Sequence, residues 1–337
     1  MSPTVTSAAP EAQAATNGAP ERGRAAKKRM LIIVNPYATT VSDRLKNLVV
    51  YALQGRYEVE AVSTEAQNHA TEIGVQARDG GYDVVVAFGG DGTLNEVANG
   101  LAGTGVPVSV LPGGSTNVVC RTLGIPNDVV DATEHLLGLA DRFEPRRVDL
   151  GIANGRRFVF SCGCGLDASA AMRVDQRPKL KARAGPYFYT WVALSSFYRD
   201  YLRNPVQMRL EVGDRAVEGI TVLAQNSDPF TYFGGRPVRV CEGVAIDDGT
   251  LSVAILRRAA QRDMGPIIAR VLTERLRASR HRQIEHFDDV TSARIESATP
   301  DGSGEPRPFP IQVDGDYIGA HAELELGIDP GALTIIA

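Results

Sequence analysis

From residue 30 onward, short apolar runs alternate with amphipathic segments. Met30-Leu31-Ile32-Ile33-Val34 is a run stopped by Asn35-Pro36, the pattern of a buried strand that ends in a loop. Residues 42–53 put Leu45, Leu48, Val49 and Ala52 on one helical face, residues 57–62 alternate as a strand, and residues 67–78 predict a second helix. Residues 83–88, Asp83-Val84-Val85-Val86-Ala87-Phe88, are apolar enough for a parallel strand covered on both faces. The unit then repeats: a glycine loop, a helix over about 94–101, a strand over 106–111, a second glycine loop, and helices ending near 139. This alternation predicts an open parallel α/β domain over 30–147.

The texture changes near residue 148. Short β-rich segments at 157–160, 219–224, 251–256 and 323–327 are separated by Gly, Pro and Asp, which predicts a mainly antiparallel β-rich domain over 148–325. Residues 187–202 interrupt it with an aromatic-rich helical pattern. Residues 326–337 form a C-terminal segment able to return to the first domain. Residues 1–29, rich in Ala, Pro, Ser and Glu, predict a disordered tail without the apolar stretch of a secretory leader.

Composition narrows the function classes. A chain of 337 residues with 43% hydrophobic content supports two cores, and a net charge of −4 argues against a nucleic-acid partner. Cys120, Cys162, Cys164 and Cys241 lack the paired spacing of a metal site and are expected to be reduced packing residues. No window reaches the roughly 18 apolar residues of a membrane-crossing helix, so a cytoplasmic chain with at most peripheral membrane contact is expected.

The strongest local chemistry is Gly89-Gly90-Asp91-Gly92-Thr93-Leu94-Asn95-Glu96, which follows a predicted buried strand and opens a predicted helix. Glycines there let backbone approach a polyphosphate, and helix-start N–H groups can donate to it. A carboxylate in such a loop repels phosphate unless a cation lies between, so Asp91 points to Mg²⁺. The bland alternative is a tight turn with a helix cap. A dinucleotide fingerprint fails because Asn95 stands at its third glycine and no acid lies between Glu96 and Asp128. A Walker A loop and the protein-kinase motifs are absent. Leu111-Pro112-Gly113-Gly114-Ser115-Thr116-Asn117 places a second glycine loop at the same end of the sheet, where ligands of such sheets bind.

Val34-Asn35-Pro36, the loop 89–97, the loop 111–117, Ala245-Ile246-Asp247-Asp248-Gly249-Thr250-Leu251 and Asp314-Gly315-Asp316 together resemble the ordered motif set of the bacterial diacylglycerol kinase family, which shares its catalytic domain with sphingosine and ceramide kinases. The resemblance covers nearly everything from Leu31 onward. It implies an ATP- and Mg²⁺-dependent lipid kinase with an α/β nucleotide domain, a β-sandwich second domain and an active site between them. It also implies nucleotide contacts at Asn35, Thr64, Gly89, Gly90, Asp91, Gly92, Thr93, Leu94, Asn95 and Ser115. A second Mg²⁺ site is implied at Asp248, with carbonyls from Ala245 and Thr250.

Phosphoryl transfer needs positioning, charge neutralisation and a group that accepts the hydroxyl proton. Asp314 and Asp316 are the candidate pair, in place of an ordinary Asp-Gly hairpin turn. The family commonly has Glu at the second position, and that acid is the usual proton acceptor; here it is Asp316, so both carry a catalytic assignment with Asp316 favoured. The family's Asn-Asp after the second loop is Asn117-Val118 here, which shifts Mg²⁺ toward Asp91 and Asp316. For contact with anionic lipid, Lys179, Lys181 and Arg183 ahead of Trp191 and its aromatic neighbours are the candidate segment, against a plain loop and packed helix. NAD kinase, which shares a GGDGT loop, and a catalytically silent nucleotide-binding protein are the rival readings.

Overall fold

The computed structural model describes residues 26–176, 192, 195, 201–202, 204–233, 235–258, 260–273 and 276–337. The first half runs β1 (Lys28–Val34), α1 (Asp43–Leu53), β2 (Tyr57–Ser63), α2 (His69–Ala77), β3 (Val84–Gly89), α3 (Asp91–Leu101), β4 (Val108–Pro112), α4 (Val118–Thr122) and α5 (Val129–Leu139). Then come β5 (Arg146–Ala153), β6 (Arg156–Phe158), β7 (Ser161–Cys164), α6 (Leu166–Asp175), β8 (Met208–Val212), β9 (Arg215–Gly219), β10 (Thr221–Gln225), β11 (Thr231–Phe233) and β12 (Arg236–Val238). The chain closes with β13 (Leu251–Leu256), α7 (Gln261–Val271), β14 (Ile284–Val290), β15 (Ser292–Ser297), β16 (Phe309–Val313), β17 (Asp316–His321) and β18 (Glu323–Ile335).

β2, β1, β3 and β4 pair in parallel in that order. Their connecting helices start where the chain supplies caps: Ser42 accepts from the Leu45 N–H at 3.3 Å, and Asp128 accepts from Val130 and Asp131. β3 is buried along its whole length, which explains a run of six residues without a polar side chain.

The sheet does not end at β4. β18 pairs with β4 in parallel through Ile335 and Val108, and with β15 and β5 antiparallel along the rest of its length. One strand therefore puts Leu333 and Ile335 into the first core and Leu324 and Leu326 into the second. Each side chain buried this fully contributes about 1.5–3 kcal/mol. The second sheet, β14-β13-β10-β7-β16-β17, is antiparallel throughout and packs its Val222, Val253, Phe309 and Ile311 against Leu210 and Ile295 of the first.

Three boundaries differ from the sequence pattern. α3 starts at Asp91 rather than near 94, because Gly90 is the cap and an acid in the first turn suits the helix dipole. The strand expected at 157–160 breaks after Phe158, since the N–H groups of Val159, Phe160 and Ser161 all turn to the Asp314 carboxylate. β1 begins at Lys28, inside the expected tail, whose first 25 residues lie outside the described residues. The helix expected over 187–202 lies mostly outside them as well.

Candidate active site

The carboxyl ends of four parallel strands converge on one edge. Asn35 follows β1 and donates its N–H to the Phe88 carbonyl at 2.9 Å; Thr64 follows β2 and donates to the Val34 carbonyl at 2.8 Å. The Asn35 amide donates to Thr93 Oγ1 at 3.0 Å and its carbonyl accepts from Tyr37, so Asn35 ties the first loop to α3.

The two glycine loops lie backbone against backbone. A Cβ on Gly113 would meet the Gly89 Cα at 2.8 Å, and one on Gly114 would meet the Gly90 Cα at 2.9 Å, while the Gly113 N–H donates to the Gly89 carbonyl at 2.7 Å. Part of the glycine content thus serves the approach of one loop to the other. Asn117, in the left-handed region, closes the second loop through both its amide atoms onto Gly114. Ser115 stays exposed at the tip.

Asp91 joins the loops. Its two oxygens accept from the N–H groups of Val118 at 3.0 Å and Val119 at 3.2 Å, at the start of α4. Burial pushes its carboxyl up to about 6, opposed by those N–H groups. Val118 is itself buried in the core, so an oxygen donor is replaced there by apolar packing. α3 begins with no side-chain cap, which leaves its first N–H groups facing the loop mouth.

The second domain enters through the β16–β17 hairpin. Val313 pairs with Asp316, and the two turn residues, Asp314 and Gly315, have φ of 48° and 87°. Positive φ at both is what a two-residue primed turn requires. Asp314 is buried and accepts from the N–H groups of Val159 at 2.7 Å, Phe160 at 2.9 Å and Ser161 at 3.0 Å, and from the Asn95 amide at 2.8 Å. Burial raises its carboxyl above the usual range, against the pull of those donors. Asp316 points the other way. A Cβ on Gly92 would lie 2.3 Å from Asp316 Oδ2, so the carboxylate rests on the first turn of α3 in the space a side chain would fill. The shorter acid therefore reaches the first glycine loop.

The other sequence candidates divide. Gly89 to Thr93 line the loop, but Leu94 is fully buried in the core, and the Asn95 side chain is occupied by the Arg157 carbonyl, Asp314 and Arg156. These two can offer a nucleotide little beyond backbone, and Asn95 works as a strut between domains. Asp248 does not approach the loops by any bond. It accepts from the Ala245 N–H at 2.8 Å and from the Thr250 N–H and hydroxyl at 3.0 Å each, the bonds of a self-closed turn. Among the described residues no group of three or more His, Cys, Asp or Glu is arranged around a common point. Lys179, Lys181, Arg183 and Trp191 lie outside the described residues. The four cysteines are free and buried, and the hydrogen bond with Cys164, then burial, push the Cys162 thiol well up.

Two structural carboxamide and carboxylate links escaped the sequence reading. Gln312 donates to Asp167 at 2.7 Å and accepts the Gly315 N–H at 2.7 Å, steadying the hairpin from below. Asp149 accepts from Gly249 at 2.6 Å and Gly331 at 2.7 Å, joining the 245–250 loop to β18. The available signal was a polar residue inside an otherwise buried strand, since such groups stay only where they are hydrogen-bonded.

Two glycine loops at the carboxyl edge of a parallel sheet, faced by an acidic hairpin from an antiparallel sheet, are the arrangement of a two-domain phosphotransferase. Residues 29–151 match the family model of the diacylglycerol kinase catalytic domain, and residues 161–337 match that of the YegS C-terminal NAD kinase beta sandwich-like domain. Diacylglycerol kinase of Staphylococcus saprophyticus is 26% identical over 297 residues, covering 87% of this chain and 90% of its own. Diacylglycerol kinase of Staphylococcus aureus is 27% identical over 299 residues, covering 87% of each. A Bacillus anthracis crystal structure superposes with a TM-score of 0.72 at 24% identity, over 94% of this chain and 97% of its own, a likeness of fold. The chain belongs to the diacylglycerol kinase family of lipid kinases.

Proposed function

We propose that this chain transfers the γ-phosphoryl group of ATP to the hydroxyl of diacylglycerol or a closely related lipid, giving a phosphatidic-acid-like product at the inner face of a membrane. The observation that carries the reading is the Asp316 carboxylate resting on Gly92, because it brings a proton acceptor from one domain to the phosphate loop of the other. The uncapped start of α3 and the loop amides receive the phosphates. The lipid hydroxyl attacks the γ-phosphorus, the bond to the β-phosphate oxygen breaks, and the hydroxyl proton passes to Asp316. Asp314 holds the hairpin; with four donors on its two oxygens it is placed to orient rather than to take the proton.

The donors at this edge suit a hard divalent cation. A carboxylate pushed up to about 6 by burial, in the loop expected to receive phosphate, is relieved by positive charge. Asp91 and Asp316 are the residues that would hold Mg²⁺, which when bound supplies neutralisation of phosphate charge. The loop around Asp248 is the weaker candidate, because its carboxylate already accepts three donors from the loop itself.

The test is phosphate transfer from labelled ATP to diacylglycerol in mixed micelles, with NAD as the parallel acceptor. Labelled phosphatidic acid without labelled NADP supports the reading. Transfer to NAD alone would support a NAD kinase, whose β-sandwich the domain over residues 161–337 resembles, and no transfer to any lipid extract would leave a nucleotide-binding protein.

A further inference from the structure

α7 buries one side and carries a large apolar side chain on its exposed side. Its inner side buries Ile267, and Met264 packs beside Tyr201, Ile220 and Leu256. Its outer side exposes Ile268 and, one turn on at its C-cap, Leu272, and Leu276 beyond the helix end is exposed as well, at 41%, 41% and 47% of their full area. A helix on a water-facing surface normally carries polar residues there. Arg270 donates to the Arg277 carbonyl at 3.1 Å, which ties residue 277 back to the helix.

Charge is concentrated around the same residues. Residues 257–282 hold eight arginines against two acidic residues, in a chain whose net charge is −4. Of the two acids, Asp263 is buried and held by Arg282 at 2.6 Å. Arg258, Arg262, Arg277 and Arg280 are exposed and form no ion pair among the described residues. The helix is also linked to the catalytic edge. The Val271 carbonyl accepts the Arg239 N–H at 3.2 Å beside the β11–β12 ribbon, and Tyr232 of that ribbon stacks under Arg121 of α4, 4.7 Å from ring centre to guanidinium.

The geometry points to this face as the surface that docks the protein on an anionic phospholipid bilayer, with Ile268, Leu272 and Leu276 entering the headgroup layer and the arginines meeting lipid phosphates. Apolar side chains ringed by cations fit such a surface. A second copy of the chain does not, because face-to-face packing would set arginines against arginines. The inference rests on the lipid-acceptor reading above, since a kinase whose acceptor stays in the bilayer must meet it there.

Sedimentation of the full-length protein with vesicles tests it without needing turnover. Wild type is expected to bind vesicles containing about one quarter phosphatidylglycerol at least ~10-fold better than pure phosphatidylcholine. Ile268→Ser, Leu272→Ser and Leu276→Ser combined should lower binding to the anionic vesicles at least ~10-fold. Arg258→Gln, Arg262→Gln, Arg277→Gln and Arg280→Gln combined should remove the anionic preference and its salt sensitivity. Phosphorylation of a water-soluble short-chain diacylglycerol should stay within about twofold in both, provided no catalytic contact is touched. Wild-type-like vesicle binding by either variant overturns the proposal, as does a dimer-to-monomer change in the serine variant with vesicle binding unchanged. If circular dichroism shows the serine variant unfolded, the arginine variant, which alters only exposed side-chain ends, decides alone. Vesicle binding that responds as described without lipid phosphorylation in any protein would sink the kinase reading and leave the docking face standing.

Discussion

Two acidic turns of similar composition, Asp314-Gly315-Asp316 and Asp247-Asp248-Gly249, have opposite surroundings. In the first, the buried carboxylate of Asp314 gathers three N–H groups from the β6–β7 bend and one from Asn95, and Asp316 crosses to α3 of the other domain. In the second, Asp248 satisfies itself on Ala245 and Thr250 within its own loop, and the loop's links outward, the Gly249 N–H and the Ile246 carbonyl, both go to Asp149. An Asp-Gly turn is tied into a distant part of the fold when topology sets another element's backbone against it. Left alone, it remains a turn.

The comparison can be broken most sharply at Asp316. Asp316→Asn is expected to lower kcat about 1000-fold, roughly 4 kcal/mol of barrier, with ATP affinity nearly unchanged, because the proton acceptor is not needed to bind nucleotide. Retention of more than about a tenth of wild-type turnover would return the hairpin to the status of the 245–250 loop.

Asp314→Ala should act on folding instead. It leaves three buried N–H groups and the Asn95 amide without their acceptor, at a cost of about 3 kcal/mol in urea unfolding. Excess Mg²⁺ that restored turnover fully to Asp316→Asn would leave Asp316 a metal-holding residue and remove it as the proton acceptor.

Gly92→Ala separates catalysis from stability. Gly92 lies in a helix, where Ala is the better former, so the melting temperature should hold or rise. The new Cβ would take the place of Asp316 Oδ2, and turnover should fall about 30-fold, near 2 kcal/mol. Unchanged turnover would show that the contact with α3 is incidental.

Asp91 supplies a pH test. Its carboxyl is raised from 3.8 to about 6 in the folded protein, so between those values the folded state binds more protons than the unfolded one. The stability this group contributes is therefore full below about pH 4 and is lost as pH rises through 6. Asp91→Asn should flatten that part of the melting-temperature profile between pH 4 and 7 and should lose most of the protection that MgATP gives at neutral pH. A profile that superposes on wild type would remove Asp91 from the buried acids of the site.

The smallest effect belongs to the self-closed loop. Asp248→Ala should cost about 1 kcal/mol of stability and leave turnover within about twofold, since only the loop's own bonds are removed. A melting temperature that Mg²⁺ raises in wild type but not in Asp248→Ala would instead make the loop a cation site equal to the first.

Much of this was readable from residue order. The β-branched runs of β1 and β3 specify buried parallel strands because a strand covered on both faces has no place for polar side chains, and two glycine loops after such strands mark the binding edge. Other assignments depend on distant partners. Gly113 and Gly114 read as part of a second loop at the ligand-binding edge, and their missing side chains make room for Gly89 and Gly90. Asn95 sits in the motif but faces Arg157 and Asp314, more than 60 residues away in the nearer case. The break after Phe158 was hidden because its cause, Asp314, lies 155 residues on.

By itself the sequence determined the strand and helix periods, the loops and the chemical types available, because these follow from local sterics and from which faces can meet water. The tertiary structure alone decided which carboxylate is buried under backbone N–H groups and which rests on the first turn of α3. Both are aspartates two residues apart on one turn, and their difference comes from the backbone N–H groups and the bare Gly92 that folding brings to each.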